Sequence, residues 1–220
     1  MTNNNNLIII HISDLHIGRD DHIFTNDLPP DGFKGSASGT ISVAEAIRSD
    51  LSPSSDLWSS LDITADELPL LPMVAAITGD LTHTATKDEF DVAHAFVRSL
   101  YGYTIDGKQV ISEQNTFIVP GNHDLVFAEE DVGRRWYPYC AFRKKYDSIH
   151  VEPENCSDLS RIIDRSDRFG LIIAEINSAA YVKKGERDAH RGQVDLQTIA
   201  RLSTDMNNIN IDKRTNCLKI

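Results

Sequence analysis

Short apolar runs alternate along the chain with longer runs whose apolar positions have helical spacing. The apolar runs predict strands over residues 7–12, 73–78, 115–120, 169–177 and 216–220. The helical spacing predicts helices over residues 41–51, 54–63, 86–100, 134–147 and 193–206. Strands and helices in this order are typical of an α/β fold, in which helices cover a mostly buried sheet.

Polar side chains follow three of the predicted strands directly. These clusters are Asp14-Leu15-His16, Gly79-Asp80 and Gly121-Asn122-His123-Asp124. Functional groups of open α/β sheets collect beyond the carboxyl ends of the strands. We therefore expect the three clusters to meet at one edge of the sheet.

The donor atoms of these clusters suit divalent metal ions. Each cluster alone has an ordinary explanation as a turn or a polar loop. Together, Asp14, His16, Asp80, Asn122 and His123 offer two carboxylates, two imidazoles and one amide oxygen. Oxygen and imidazole donors without thiolates suit Mn, Fe or Zn. So many donors are more than one ion needs, and they fit two ions a few ångströms apart.

The stretches "SDLHIG", "TGDLTH" and "PGNHD" resemble the first three motifs of the calcineurin-like metallophosphoesterases. Their order, their strand context and the flanking proline match as well. The later stretch "INSAAY…RGQVDLQTIARL" resembles the strand, loop and helix that follow the third motif. The resemblance covers essentially the whole chain. It implies a single domain over residues 1–220, built as two sheets flanked by helices.

The resemblance also assigns roles to the residues of the motifs. It implies that Asp14 and His16 hold one metal ion, that Asp80 bridges two ions, and that Asn122 binds the second. His123 would act beside the leaving group as a proton donor or phosphate ligand. Asp124 would orient His123 or a neighbouring residue.

The activity that the resemblance implies is hydrolysis of a phosphodiester or a phosphomonoester, with a nucleotide among the candidates. Two divalent ions (Mn, Fe or Zn) would activate the attacking hydroxide and neutralise charge on the phosphoryl oxygens. The implied partner is thus a phosphate-ester substrate.

Two family motifs are not found in these 220 residues. They are a histidine after a further strand and a G-H-x-H motif, and the sequence contains no Gly-His pair. By analogy, the second metal site is incomplete in this chain. We expect a domain truncated at its C-terminal end, followed by further domains, and little activity of the 220-residue chain alone. An inactive relative that keeps the fold is the alternative.

The composition limits the remaining possibilities. The chain is 40% apolar and 25% charged, as soluble globular proteins are. Its net charge of −11 argues against a broad basic surface for nucleic acid. Three widely spaced cysteines argue against a disulfide framework. The chain shows no signal peptide and no membrane span, so we expect a cytoplasmic protein without a membrane partner.

Several features keep two interpretations each. His83 either supports the site or contacts the substrate, or it is an ordinary loop residue. Residues 134–146 either pack as a core stripe or form a basic and aromatic wall for a nucleotide base. Residues 19–40 form either a lid or a disordered loop. His190 replaces a missing imidazole only if its loop folds over the site.

Two other functions remain beside the leading one. The first is a DNA or RNA nuclease of the same superfamily, which the net charge of −11 does not favour. The second is a regulatory module that keeps the fold without catalysis, which the two absent motifs favour.

Overall fold

The computed structural model describes residues 7–18, 37–129, 131, 134–146, 159–182 and 192–220. Most of the predicted 19–40 loop therefore lies outside the described residues, and so does His190. Residues 37–40 are the exception, because they form the start of the first helix.

The strands, numbered along the described chain, are β1 Ile8–Ile12, β2 Met73–Thr78, β3 Thr104–Ile105, β4 Lys108–Gln109, β5 Thr116–Val119, β6 Arg161–Arg165, β7 Leu171–Glu175 and β8 Leu218–Lys219. The helices are α1 Ala37–Asp50, α2 Asp56–Ser60, α3 Lys87–Leu100, α4 Tyr137–Arg143, α5 Ser166–Phe169, α6 Leu196–Asn208 and α7 Ile211–Asn216.

The first sheet has the strand order β1-β2-β5, and both pairings are parallel. Its strands match three predicted apolar runs to within a residue or two. Four of the six residues of β2 are buried, because helices cover one face and a second sheet covers the other. The parallel arrangement brings the three carboxyl ends to one edge.

The second sheet has the order β6-β7-β8, with β6 antiparallel and β8 parallel to β7. A small apolar cluster joins the two sheets face to face. It consists of Val74 and Phe117 from the first sheet and Ile163, Leu171 and Ile173 from the second. Helix α6 packs against β6. Two packed sheets with helices outside them confirm the predicted sandwich.

The main core lies between the first sheet and its helices. Helix α3 starts at a capping box, in which the Thr86 side chain accepts from the Glu89 N–H and Glu89 binds back to the Thr86 N–H. The helix buries the predicted stripe of Phe90, Ala93, Phe96, Val97 and Leu100. Residues 134–146 complete this core with Trp136, Tyr139, Phe142 and Tyr146, all of them buried. The interpretation of this segment as a core stripe is correct, and a wall for a nucleotide base is wrong.

A buried charged group fastens β5 to the second sheet. Glu175 at the end of β7 accepts hydrogen bonds from Arg143 at 3.3 Å and from Arg161 at 2.5 Å. Its other oxygen accepts the N–H of Ile118 at 3.1 Å. The Ile118 carbonyl accepts from Arg143 and from the Tyr139 hydroxyl. The edge strand that carries the third motif is therefore held by side chains from α4 and β7.

Some elements differ from the prediction. Strand β6, the hairpin β3–β4 and helix α7 were not predicted. The β6 sequence Arg-Ile-Ile-Asp-Arg has only two apolar residues, so it shows no apolar run. The helix predicted over residues 134–147 is a 3-10 turn followed by the seven residues of α4.

Two of the three cysteines can be described. Cys140 is buried in the core and is disulfide-bonded, whereas Cys217 is free. The sequence argued against a disulfide framework, which a disulfide at Cys140 does not by itself form, but the cysteines give no support to the expected cytoplasmic location. No helix in the described ranges has the length and apolar character needed to cross a membrane.

Candidate metal centre

The loops after β1 and β2 run side by side beyond the sheet. The N–H of Asp14 donates to the Gly79 carbonyl at 3.3 Å, and the N–H of His16 donates to the Asp80 carbonyl at 2.8 Å. The N–H of Ile17 likewise donates to the Leu81 carbonyl at 2.9 Å. These bonds extend the parallel pairing past the strands, so the first two motifs are held in register.

Three of the predicted metal ligands have left-handed backbone conformations. The φ angles are 56° at Asp14, 44° at His16 and 50° at Asp80. This region costs a non-glycine residue roughly 1–2 kcal/mol. Strained backbone of this kind collects at functional sites, where the surrounding structure holds it in place. Here the bonds between the two loops hold it.

Two glycines let the third motif approach the second. A Cβ on Gly121 would lie 2.1 Å from Asp80 Oδ1 and 2.4 Å from the Asp80 nitrogen. A Cβ on Gly79 would lie 2.9 Å from the Gly121 Cα. Only glycine fits at Gly121, because any side chain there would displace Asp80.

The structure brings Asp14, His16 and Asp80 together. Each offers a ligand atom, and these atoms lie within 4.8 Å of one another. His16 Nε2 lies 3.9 Å from Asp14 Oδ1 and 3.8 Å from Asp80 Oδ2. The side chain of Asp14 is 69% exposed, whereas those of His16 and Asp80 are 13% and 16% exposed. The group is therefore recessed on one side and open to solvent on the other.

Asn122 and His123 reach the same place from β5. They begin the 3-10 turn Asn122–Asp124, and the His123 N–H donates to Asp80 Oδ1 at 2.9 Å. Both chain neighbours of Asn122 thus contact or closely approach Asp80. All four predicted metal ligands lie on loops that converge at one sheet edge.

The ring of His123 is held by a backbone carbonyl. Its Nδ1 lies 2.9 Å from the carbonyl oxygen of His83. A carbonyl only accepts, so Nδ1 carries the proton and Nε2 is the nitrogen left for a ligand or a substrate. The His16 ring lies edge-on to it, with 4.6 Å between the ring centroids.

Asp124 joins the second and third motifs. It is fully buried and accepts the N–H groups of Leu81, Thr82 and Gly121, and also the Thr82 hydroxyl. Burial raises the pKa of Asp124 to about 6, and the donors from Gly121, Thr82 and Leu81 oppose a larger rise. The Thr82 hydroxyl also bonds to the His123 carbonyl at 3.1 Å. The hydrogen bonds of Asp124 thus go to Leu81 and Thr82 of the second motif and to Gly121 of the third motif.

His83 belongs to the same site. Its ring stacks on that of His123, with a centroid distance of 5.3 Å and an interplanar angle of 16°. Its Nδ1 is buried without a hydrogen-bond partner. The ligand atoms of His16, His83 and His123 lie within 4.8 Å of one another. The position of His83, three residues after Asp80, indicated in the sequence that it could lie near the site. The stacking of its ring on that of His123 was not predicted.

The residues fit divalent metal ions. Two carboxylates and an imidazole converge at a partly open edge, and carboxylates brought this close repel one another unless a cation lies between them. The buried Nδ1 of His83 has no hydrogen-bond partner and is a further donor atom outside the group of Asp14, His16 and Asp80.

The comparisons with known proteins agree with this geometry. The family model described as "Calcineurin-like phosphoesterase" matches residues 7–175, a range that includes β1, β2, β5 and all three motifs. A search of curated protein sequences found no match. Since the family model covers well over half of the chain, the chain belongs to the calcineurin-like phosphoesterase family.

Proposed function

We propose that this chain hydrolyses a phosphodiester or a phosphomonoester, with nucleotides among the candidate substrates. The observation that carries this proposal is the convergence of Asp14, His16 and Asp80 within 4.8 Å, next to the ring of His123. Membership of a phosphoesterase family supports the reaction type.

Each residue of the proposed site has a separate task. Asp14 and His16 would hold one divalent ion, Asp80 would bridge two, and Asn122 would supply an oxygen to the second. A carboxylate suits the bridging position because its two oxygens can serve two cations. When bound, the ions supply an activated water molecule and neutralise negative charge on the phosphoryl group.

His123 would act on the leaving group. In its imidazolium form, His123 donates its Nδ1 proton to the His83 carbonyl, and its Nε2 proton is available to the leaving oxygen. Asp80 also accepts the His123 N–H, so the proposed bridging residue and the proposed acid are fixed to each other. Asp124 and Thr82 would keep the turn that carries His123 in place.

The test is a hydrolysis assay with Mn²⁺ and purified chain. The substrates are bis-p-nitrophenyl phosphate as a diester, p-nitrophenyl phosphate as a monoester, a dinucleotide and an oligonucleotide. Because the second metal site is expected to be incomplete in this chain, we expect slow Mn²⁺-dependent release from at least one small substrate, and its loss in Asp14→Asn. Asp66→Asn removes a carboxylate outside the described metal groups and serves as the control. Cleavage of the oligonucleotide alone would favour a nuclease, and no Mn²⁺-dependent cleavage would contradict the proposal.

A further inference from the structure

We propose that His16, His83 and His123 form a second ligand set, which captures Zn²⁺ and similar ions and thereby inhibits the enzyme. The inhibitory part of this inference rests on the proposed phosphoesterase function. The binding part rests only on the three imidazoles and their surroundings.

The three imidazoles are arranged as ligands of one ion. Their ligand atoms lie within 4.8 Å of one another, and the ring centroids are 4.6, 5.3 and 6.0 Å apart. Tetrahedral Zn–N bonds of about 2.0–2.1 Å place two nitrogens roughly 3.4 Å apart. Binding of one ion therefore requires the three imidazole nitrogens to approach one another by rotation of their side chains.

The surroundings of His83 and His123 favour metal binding. His123 donates its Nδ1 proton to a backbone carbonyl, and metal-binding histidines almost always make such a bond with the nitrogen that does not bind the metal. The Nδ1 of His83 is buried and has no hydrogen-bond partner. A buried nitrogen without a partner loses solvation, and a metal ion would satisfy it. The His83 N–H is bonded to the Ile17 carbonyl at 2.9 Å, so its backbone is already held beside the first motif.

The two ligand sets share His16 and so compete for it. A neutral imidazole has one lone pair for a metal, and His16 therefore serves the carboxylate set or the imidazole set, but not both. Three imidazoles are a typical zinc ligand set, whereas carboxylates and water suit Mn²⁺. Zn²⁺ and Cu²⁺ also bind nitrogen donors much more tightly than Mn²⁺ does.

Inhibition follows because the second ligand set uses two histidines, His16 and His123, that the proposed reaction needs. An ion held by His16, His83 and His123 takes His16 from the carboxylate set. It also occupies the Nε2 of His123, so that nitrogen has no proton for the leaving group. We therefore expect Zn²⁺ to inhibit hydrolysis that Mn²⁺ supports.

The first test is calorimetric titration of the untagged chain with Zn²⁺ and, separately, with Mn²⁺. We expect His83→Ala to weaken Zn²⁺ binding by at least about tenfold and to leave Mn²⁺ binding nearly unchanged. The control is His94→Ala, because His94 lies on α3 outside both ligand sets, and it should change neither titration. Equal losses for both ions in His83→Ala, or no loss for Zn²⁺, would overturn the proposal.

The wild-type chain decides the second test, and His83→Ala serves only as a comparison. Electron paramagnetic resonance of the wild-type chain with one equivalent of Cu²⁺ should show hyperfine coupling to three imidazole nitrogens. The same spectrum of His83→Ala should show fewer. A wild-type spectrum dominated by oxygen ligands would overturn the proposal.

The third test measures inhibition. Hydrolysis of bis-p-nitrophenyl phosphate in Mn²⁺ is followed as Zn²⁺ is added, and each variant is normalised to its own rate without Zn²⁺. We expect His83→Ala to need at least about tenfold more Zn²⁺ for half inhibition. Equal inhibition of both proteins would overturn the inhibitory role. If the wild type shows no hydrolysis at all, the proposed function fails, and the first two tests still decide the metal site.

Discussion

At the scale of single residues, Gly121 shows how closely the second and third motifs approach each other. Its Cα lies so near Asp80 that the space for a Cβ is taken by the carboxylate and by the backbone of Asp80. The proposed ligand residues Asp14, His16 and Asp80 adopt left-handed backbone conformations at the same edge. Bonds between neighbouring loops hold these conformations, so a small displacement of one loop changes the position of the others.

We predict that Gly121→Ala impairs the site more than it impairs the fold. The added Cβ must displace Asp80, which costs about 1–3 kcal/mol of stability, and a shift of about 1 Å at a reacting group lowers turnover roughly a hundredfold. Gly102→Ala is the control, because the nearest atom to its Cβ would be 3.7 Å away. Thermal unfolding and steady-state hydrolysis measure the two effects, and unchanged turnover in Gly121→Ala would contradict the geometry.

His123→Ala should separate catalysis from metal binding. A proton donor typically contributes about 10²–10⁴-fold to turnover, and this is the role proposed for His123. We expect kcat to fall by this amount while the Mn²⁺ content stays that of the wild type. Metal analysis of the dialysed variant gives the answer, and a loss of Mn²⁺ in proportion to activity would show that His123 is a ligand of the Mn²⁺ site.

At the scale of elements, the second and third motifs are joined by Thr82 and Asp124. The Thr82 hydroxyl bonds to Asp124 Oδ1 at 3.0 Å and to the His123 carbonyl at 3.1 Å, and both side chains are fully buried. This bond pattern links the loop after β2 to the turn after β5. The hydrogen bonds of Glu175 to Ile118 and Arg143 have a similar task at the other sheet, where they join β7 to β5 and α4.

Thr82→Val tests the link between the two motifs. Valine keeps the shape of the side chain but removes the hydroxyl proton that Asp124 Oδ1 and the His123 carbonyl share, so we expect a loss of about 1–3 kcal/mol of stability. We also expect a lower kcat at unchanged Mn²⁺ content, because the turn that carries His123 is less firmly held. Thr82→Ser retains the hydroxyl and should recover most of the kcat. A serine variant no better than the valine variant would argue against this role.

Glu175→Gln tests the link between the sheets. The substitution leaves the buried guanidinium of Arg143 without its carboxylate, and breaking a buried pair of this kind costs about 3–5 kcal/mol. Asp205→Asn removes one partner of the exposed Arg201–Asp205 pair and should cost no more than about 0.5 kcal/mol. Urea unfolding of both variants gives the comparison, and equal losses would show that the Glu175 group adds little.

At the scale of the whole molecule, the apolar runs and the polar residues after them predicted an α/β fold and the edge where the motifs meet, and the resemblance of the motifs to a family implied the two sheets. Strand β2 was predicted with its bounds because it is buried on both faces. Strand β6 was missed because charged residues surround its two isoleucines. The Glu175 group and the stacking of His83 on His123 join distant parts of the chain, so no local pattern indicates them.

The most direct test of the central claim combines two measurements on the wild type and on Asp80→Asn. Calorimetric titration with Mn²⁺ gives binding, and hydrolysis of bis-p-nitrophenyl phosphate gives turnover. We predict that the wild type binds Mn²⁺ and hydrolyses the diester only when Mn²⁺ is present. Asp80→Asn should lose affinity for Mn²⁺ and lower turnover by more than about a hundredfold. Wild-type hydrolysis that Asp80→Asn leaves intact, or that proceeds without Mn²⁺, would contradict a metal-dependent site at this sheet edge.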